Sequence, residues 1–283
     1  MTEIFKSFFK TVGGNEGSLC KYTTRLDTYG CGCEHNCSYC YAKSLLEFRN
    51  LWDPKNPKVA DIKAIERKVK KIPDGQVIRL GGMTDCLQPA ESRHKVTRDT
   101  IDLFNEQGIE YLIVTKSHLV GTEEYLSRLD PNLAHVQISV TCTDDDKALE
   151  YEKCSLPSKR LEAVKKLQDA GIDVALRLSP YMAEMIDPKV IRSYGVKKCV
   201  VEFLRVNHWI KKWFGDMTDL SIYTEKHGGY CHLPLIVKID LLGDLKEELP
   251  DTEFTVCEDV PEHWDYWKHN VNPNPEDCCN LRR

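Results

Sequence analysis

The feature that most constrains the fold is a rhythm in which short apolar, β-branched runs recur with helical patterns between them. The runs fall at 77–80, 111–115, 136–140, 174–178, 199–203 and 235–239, and a first strand is expected near 23–28. Segments 96–106, 123–129 and 158–170 place apolar residues three and four apart, as amphipathic helices do. Gly108 and Gly171 stand where a helix end needs a left-handed residue just before the next strand. Strands alternating with helices imply right-handed βαβ crossovers and a parallel sheet. About seven such steps suit a barrel better than a two-faced open sheet. The expected class is therefore α/β: a partial or near-complete TIM-like (βα) barrel with parallel strands, plus a short C-terminal extension. No repeat, low-complexity stretch or linker interrupts the chain. The barrel is expected over residues 1–240, N-terminal extension included, and residues 241–283 as an extension covering its opening. In such barrels chemistry gathers at the C-terminal ends of the strands.

A chain of 283 residues is an ordinary size for one barrel with a tail. Its 41% hydrophobic and 29% charged residues exclude a disordered or fibrous chain. No apolar run approaches the roughly 20 residues of a membrane span. Residues 1–11 hold two lysines and three phenylalanines without a continuous apolar stretch or a small-residue cleavage site. No secretory signal is read there, and a cytoplasmic location is expected. The net charge of -5 gives no global attraction for nucleic acid, so such a partner needs a local basic surface. Lys63, Arg67, Lys68, Lys70 and Lys71 form one basic cluster, and His208, Trp209, Lys211, Lys212 and Trp213 interleave bases with aromatics. A solvated helix face and a partly buried amphipathic helix are the plainer readings of the two.

Thirteen cysteines in an oxidising compartment would suggest disulfides with one thiol left over. With no export signal, thiolate ligation is the better account. Cys33, Cys37 and Cys40 put three thiolates within eight residues, in the loop between the first strand and a helix expected over 42–48. Three close cysteines can bind three irons of a cubane and leave the fourth open, whereas a structural zinc or iron–sulfur site closes its shell with a fourth ligand. Cys31 could supply that fourth ligand through a tight turn, giving a non-catalytic zinc or iron–sulfur module.

The C-x3-C-x2-C spacing, with Tyr39 just before the last cysteine, resembles the radical S-adenosylmethionine superfamily. The resemblance implies that Cys33, Cys37 and Cys40 hold a 4Fe–4S cluster whose open iron is chelated by S-adenosylmethionine. An external one-electron reductant would then drive cleavage to a 5'-deoxyadenosyl radical, the hard chemistry belonging to the cofactor. Tyr39 is implied to lie near the adenine, with core packing as the plain alternative.

Further segments resemble the spore photoproduct lyase branch of that superfamily: Leu80-Gly81-Gly82-Met83-Thr84-Asp85, Pro89-Ala90-Glu91, Thr115-Lys116-Ser117, Ile138-Ser139-Val140-Thr141, Arg160-Leu161-Glu162-Ala163 and Ala175-Leu176-Arg177-Leu178-Ser179-Pro180. The likeness runs from Tyr29 to Met182. It implies contacts to S-adenosylmethionine from Thr84, Lys116 and Ser139, and Arg177 joins the cofactor-binding set. Gly81 and Gly82 would let the backbone approach the methionine moiety. Lys116 can pair with its carboxylate, and the two hydroxyls add directed hydrogen bonds. One departure matters: where the lyase proper has a cysteine hydrogen-atom donor, this chain has Gly82. Cys86 and Cys257 are the candidate catalytic thiols in its place. The implied substrate is a thymine-related base in DNA, or a nucleotide, reached in single-stranded or flipped-out form. The missing donor favours rearrangement of a modified thymine in DNA hypermodification over dimer repair. A peptide or small-metabolite substrate is the alternative.

The C-terminal segment is acidic and aromatic. Its Cys257, Cys278 and Cys279 could join Cys231 in an auxiliary cluster, although neighbouring Cys278 and Cys279 strain a shared single metal. Buried reduced thiols, or one thiol facing substrate, are the simpler readings. Trp264 and Trp267 either stack on bases or pack the core. The oligomeric state is not legible.

Overall fold

Alternating strand and helix patterns become a wound sheet because each strand buries apolar side chains under the helix that follows it. In the computed structural model, which describes residues 4–13 and 19–282, the strands in chain order are β1 (Ile4–Phe5), β2 (Phe9–Thr11), β3 (Thr24–Leu26), β4 (Tyr29–Gly30), β5 (Lys58–Ala60), β6 (Ile78–Leu80), β7 (Tyr111–Thr115), β8 (Ala134–Val140), β9 (Asp173–Tyr181), β10 (Lys198–Phe203), β11 (Glu225–His227), β12 (Tyr230–His232) and β13 (Glu253–Val256). Eight of them form one sheet in the order β13-β10-β9-β8-β7-β6-β3-β2. Every neighbouring pair from β3 to β13 is parallel, and only β2 runs antiparallel at its edge. Among the described residues β2 and β13 do not meet, so this is a partial TIM-like barrel with an open side.

Central strands of a parallel sheet are covered on both faces and read as nearly continuous burial; all seven residues of β8 are buried. Helix Val96–Gln107 crosses from β6 to β7 and inserts Val96, Ile101 and Phe104 into the core. Helix Pro157–Asp169 crosses from β8 to β9 and buries Leu161, Val164 and Leu167. Each such side chain stabilises by about 1.5–3 kcal/mol. Gly108 (φ 65°) and Gly171 (φ 75°) end these helices in the left-handed conformation that their positions demand.

Residues 235–239 form no strand. They open the helix Leu235–Glu248, which buries Lys238, Leu242 and Leu245. The β-branched start resembled a strand, but the apolar positions continue at helical spacing for 14 residues, and that length decides the matter. The seventh parallel strand is instead β13, paired to β10 from Lys198↔Glu253 to Val201↔Val256. Residues 241–283 thus add an edge to the main sheet, followed by the helix Pro261–Asn270. The hairpin β11–β12, turning at Gly228 (φ 57°) and Gly229 (φ 83°), was also not read from the pattern. No helix among the described residues is long and apolar enough to cross a membrane.

Candidate functional site

The C-terminal ends of β6 to β10 and the cysteine loop line one cavity. Its floor is set where β3 and β6 end side by side. Their last amides would otherwise lack partners, and the buried Asp27 carboxylate accepts from Gly82 N (2.7 Å) and Met83 N (3.1 Å). Tyr41 donates its hydroxyl to Gly82 O at 2.6 Å. Gly81 sits at φ 83°, and a Cβ on Gly82 would lie 2.8 Å from Arg25 Cδ. Neither position accepts a side chain without rearrangement, so bare backbone faces the cavity.

Cys33, Cys37 and Cys40 line this cavity together, whereas Cys31 (φ 58°) lines a separate hollow between the segment around Trp52 and Lys58 and the side of Arg93 and His94. Cys40 also caps the helix Tyr41–Glu47, its Sγ accepting from Lys43 N at 3.4 Å. All three are free thiols. Beside Cys37 lie two groups absent from the sequence reading: Cys154, with Sγ 3.6 Å from Cys37 Sγ, and Glu152. Neither has a spacing signal, because both reach the loop from the far side of β8. Glu152 is ion-paired with Arg160 in full burial and accepts the Tyr39 hydroxyl. Burial alone would raise the Glu152 pKa, but the charges of Arg160 and Lys116 bring it below its usual value. Tyr39 is thereby locked in place.

Lys116 enters from the end of β7, its Nζ 5.5 Å from the centre of the Tyr39 ring. Its backbone N–H donates to Asp85 Oδ2 at 2.6 Å, and Thr115 Oγ1 donates to Asp85 Oδ1 at 2.7 Å. Burial lowers the Lys116 pKa, yet the surrounding Cys37, Cys154, Glu152 and Asp85 raise it overall. It is a fixed cation in the cavity. Thr84 and Ser139 line the same space, Thr84 Oγ1 donating to Tyr29 O at 2.7 Å. Arg177 also lines it, but its guanidinium is engaged by Gln137 Oε1 (2.8 Å) and Glu202 Oε2 (2.5 Å). Glu202 binds Ser179 Oγ at 2.8 Å and Arg205, which reaches Asp259 at 3.0 Å. This network on β9 and β10 carries no sequence motif.

Of the two expected catalytic thiols, Cys257 lines the cavity and Cys86 does not: it is fully buried in the core. Cys231 lies on β12, bonded through its backbone to Val206, and packs against the main core. Cys278 and Cys279 instead pack beside Cys20 and Cys257 in a separate cluster, so the grouping with Cys231 is replaced by one with Cys20. The hairpin fold of β11–β12 carries Cys231 away from the C-terminal turn. Trp267 is 1% exposed and stacks on Phe203, which makes it core, while Trp264 packs against the cysteine cluster.

This donor set fits the cofactors that the motif implies. Three thiols share one wall, and a buried cation, two hydroxyls and open backbone flank them.

Residues 28–183, more than half of the chain, match the model of the radical SAM superfamily. An uncharacterized protein of Mycobacterium tuberculosis is 24% identical over 259 residues, covering 78% of this chain and 76% of that protein. One from Methanocaldococcus jannaschii is 26% identical over 168 residues, covering 56% and 61%. Among solved structures, spore photoproduct lyase complexed with dinucleoside spore photoproduct superposes with a TM-score of 0.65 at 15% identity, over 89% of this chain and 80% of that one. Streptococcus suis SuiB bound to S-adenosylmethionine gives 0.55 at 13% identity, over 84% and 52%. These structural likenesses establish the partial barrel. The family match and the shared cysteine wall together mean that the chain belongs to the radical S-adenosylmethionine superfamily, whose members work with a 4Fe–4S cluster and S-adenosylmethionine.

Proposed function

We propose that the protein acts on a thymine-related base in DNA and rearranges it, in the manner of DNA hypermodification, rather than repairing a dimer. The observation that carries the DNA reading is an aromatic and basic surface on the helix His208–Phe214, whose Ile210 lines the cavity. Trp209 and Trp213 lie 5.6 Å apart between ring centres, Lys43 Nζ stands 4.4 Å over Trp213, and Lys212 Nζ 5.8 Å over Trp209. Asn207 caps this helix through Ile210 N and donates to Ser44 Oγ at 3.1 Å, tying it to the helix that starts at Cys40. Stacking planes beside cations are the means by which single strands are held, and they would deliver a base to the adjacent cavity.

When bound, the cluster and S-adenosylmethionine supply a 5'-deoxyadenosyl radical by one-electron reductive cleavage. Cys33, Cys37 and Cys40 would hold the cluster, Lys116 would pair with the methionine carboxylate, and Thr84 and Ser139 would orient the molecule. Tyr39, fixed by Glu152, would bound the adenine. Rearrangement is favoured because Gly82 offers no thiol where the lyase has its donor and Cys86 is sealed in the core, which of the two candidate donor thiols leaves only Cys257 on the cavity wall. A redox-neutral isomerisation needs no hydrogen donor from the protein.

The test is anaerobic incubation with reductant, S-adenosylmethionine and thymine-containing or modified single-stranded DNA, followed by mass spectrometry. The reading expects a base of unchanged mass and altered retention with little net consumption of S-adenosylmethionine, since 5'-deoxyadenosine would return its hydrogen to the base, and deuterium from labelled DNA should be carried into S-adenosylmethionine. Turnover with peptides or free metabolites and none with DNA would overturn it, as would DNA binding without a steep salt dependence.

A further inference from the structure

Four cysteines outside the S-adenosylmethionine motif converge from three distant parts of the chain. Cys20 precedes β3, Cys257 follows β13, and Cys278 and Cys279 lie in the C-terminal turn. They pack in one small cluster with Tyr22, Val77 and Leu112, and all four are free thiols. Cys257, Cys278 and Cys279 lie close enough to shift one another's thiol pKa, Cys278 being raised and Cys257 lowered. A buried cysteine of no special function is a small apolar filler and has no need of thiol neighbours.

The backbone around them is held in place from several sides. Thr255 Oγ1 donates to Cys278 O at 2.7 Å, and Cys279 N donates to Asp277 Oδ1 at 3.0 Å. Tyr22 donates its hydroxyl to the buried Asp277, which links the segment of Cys20 to the turn of Cys278 and Cys279. Two guanidinium groups act electrostatically on these thiols. Arg177 interacts with Cys257 and Cys279, and Arg79 with Cys20 and Cys279. Arg79 Nε is buried and has no hydrogen-bond partner in the protein. An orphan donor of that kind is costly unless something is bound before it.

We propose that Cys20, Cys257, Cys278 and Cys279 hold a second iron–sulfur cluster, closed by four thiolates. The adjacency of Cys278 and Cys279 favours a cluster over a single ion. Around one zinc, with Zn–S near 2.3 Å, all four sulfurs would stand about 3.8 Å from one another. Among the described residues, no three of these sulfurs lie mutually within 4.8 Å. Adjacent Cys278 and Cys279 crowd one tetrahedral ion, whereas different irons of a cluster can each take one. Two guanidinium charges balance the excess negative charge of a four-thiolate centre. Cys20, Cys257 and Cys278 also line the main cavity. A closed shell leaves no iron free to chelate S-adenosylmethionine, and a metal-bound Cys257 has no thiol hydrogen to give.

The test is iron and sulfide content with electron paramagnetic resonance after anaerobic reconstitution. Wild-type protein is expected to hold about eight irons, and the Cys33→Ala/Cys37→Ala/Cys40→Ala variant about four, with a reduced-state signal indifferent to S-adenosylmethionine. Cys257→Ala/Cys278→Ala should lose half the iron and keep the responsive signal. Circular dichroism checks that each variant is folded. Where the triple variant fails to fold, the wild-type spectrum decides, because only one of two signals should shift on adding S-adenosylmethionine. A wild-type protein with about four irons and a single, fully responsive signal overturns the proposal, and so does a folded triple variant that binds zinc or no metal. None of these readouts depends on which substrate is used.

Discussion

The sulfurs of Cys37 and Cys154 stand 3.6 Å apart, beside the carboxylate of Glu152. Cys37 faces the cavity and Cys154 lies behind it, outside the cavity wall. A motif thiol therefore has a neighbour that is not part of the motif. Cys37→Ala should abolish binding of the S-adenosylmethionine-responsive cluster, whereas Cys154→Ala should leave its iron content and its spectral response intact. Air-exposed, cluster-free protein should carry a Cys37–Cys154 disulfide, since closing to about 2.05 Å needs only a small side-chain movement. Peptide mapping with and without reductant, and iron analysis of the two variants, check this.

Lys116 is the one cation that the end of β7 sends into the cavity. The thiol of Cys37 and the carboxylates of Glu152 and Asp85 help to keep it charged despite burial. Lys116→Met should weaken S-adenosylmethionine binding about tenfold, on the order of 1.4 kcal/mol. Lys116→Arg should not restore it, because a planar fork does not fit the place of a point charge. Anaerobic calorimetry on the reconstituted protein measures both.

Trp209 and Trp213 form the proposed stacking surface. Replacing either by alanine should cost roughly 1–3 kcal/mol of single-stranded DNA affinity. S-adenosylmethionine cleavage in the absence of DNA should be unchanged. Lys212→Ala should instead lower the salt dependence of binding by about one counterion. Fluorescence anisotropy over a salt series separates the two effects.

Glu202 stands between Arg177 and Arg205. Burial would raise its pKa, but the two guanidinium groups bring it down to about 2 from an ordinary 4.5. A depressed carboxylate pKa contributes stability that is complete above its unfolded value. That contribution is lost as pH falls from about 4.5 through about 2. Glu202→Gln should be less stable near pH 7 by about 3 kcal/mol, having left the buried Arg177 without a carboxylate while Arg205 keeps Asp259. It should also lose less stability than wild type between pH 6 and pH 3. Denaturant midpoints across that range test the sign.

Much of the site was legible because its signals are local. Cys33, Cys37 and Cys40 sit within one loop, Gly81 and Gly82 end one strand, and Lys116 and Ser139 end the next two. Strand alternation then brings these positions to one end of the sheet whatever the details of packing. The helix Leu235–Glu248 was misread for the same reason in reverse, since five residues of β-branched pattern outweighed the longer period around them.

The sequence by itself determined the parallel wound sheet and the cysteine loop, because periodicity and short spacing are properties of neighbouring residues. Only the tertiary structure decided that Cys20 joins Cys257, Cys278 and Cys279 while Cys231 does not. It alone set Cys154 and Glu152 behind Cys37, sealed Cys86 in the core, and tied Arg177 to Glu202. Those groupings join residues far apart in the chain, and what brings them together is the packing of whole strands and helices.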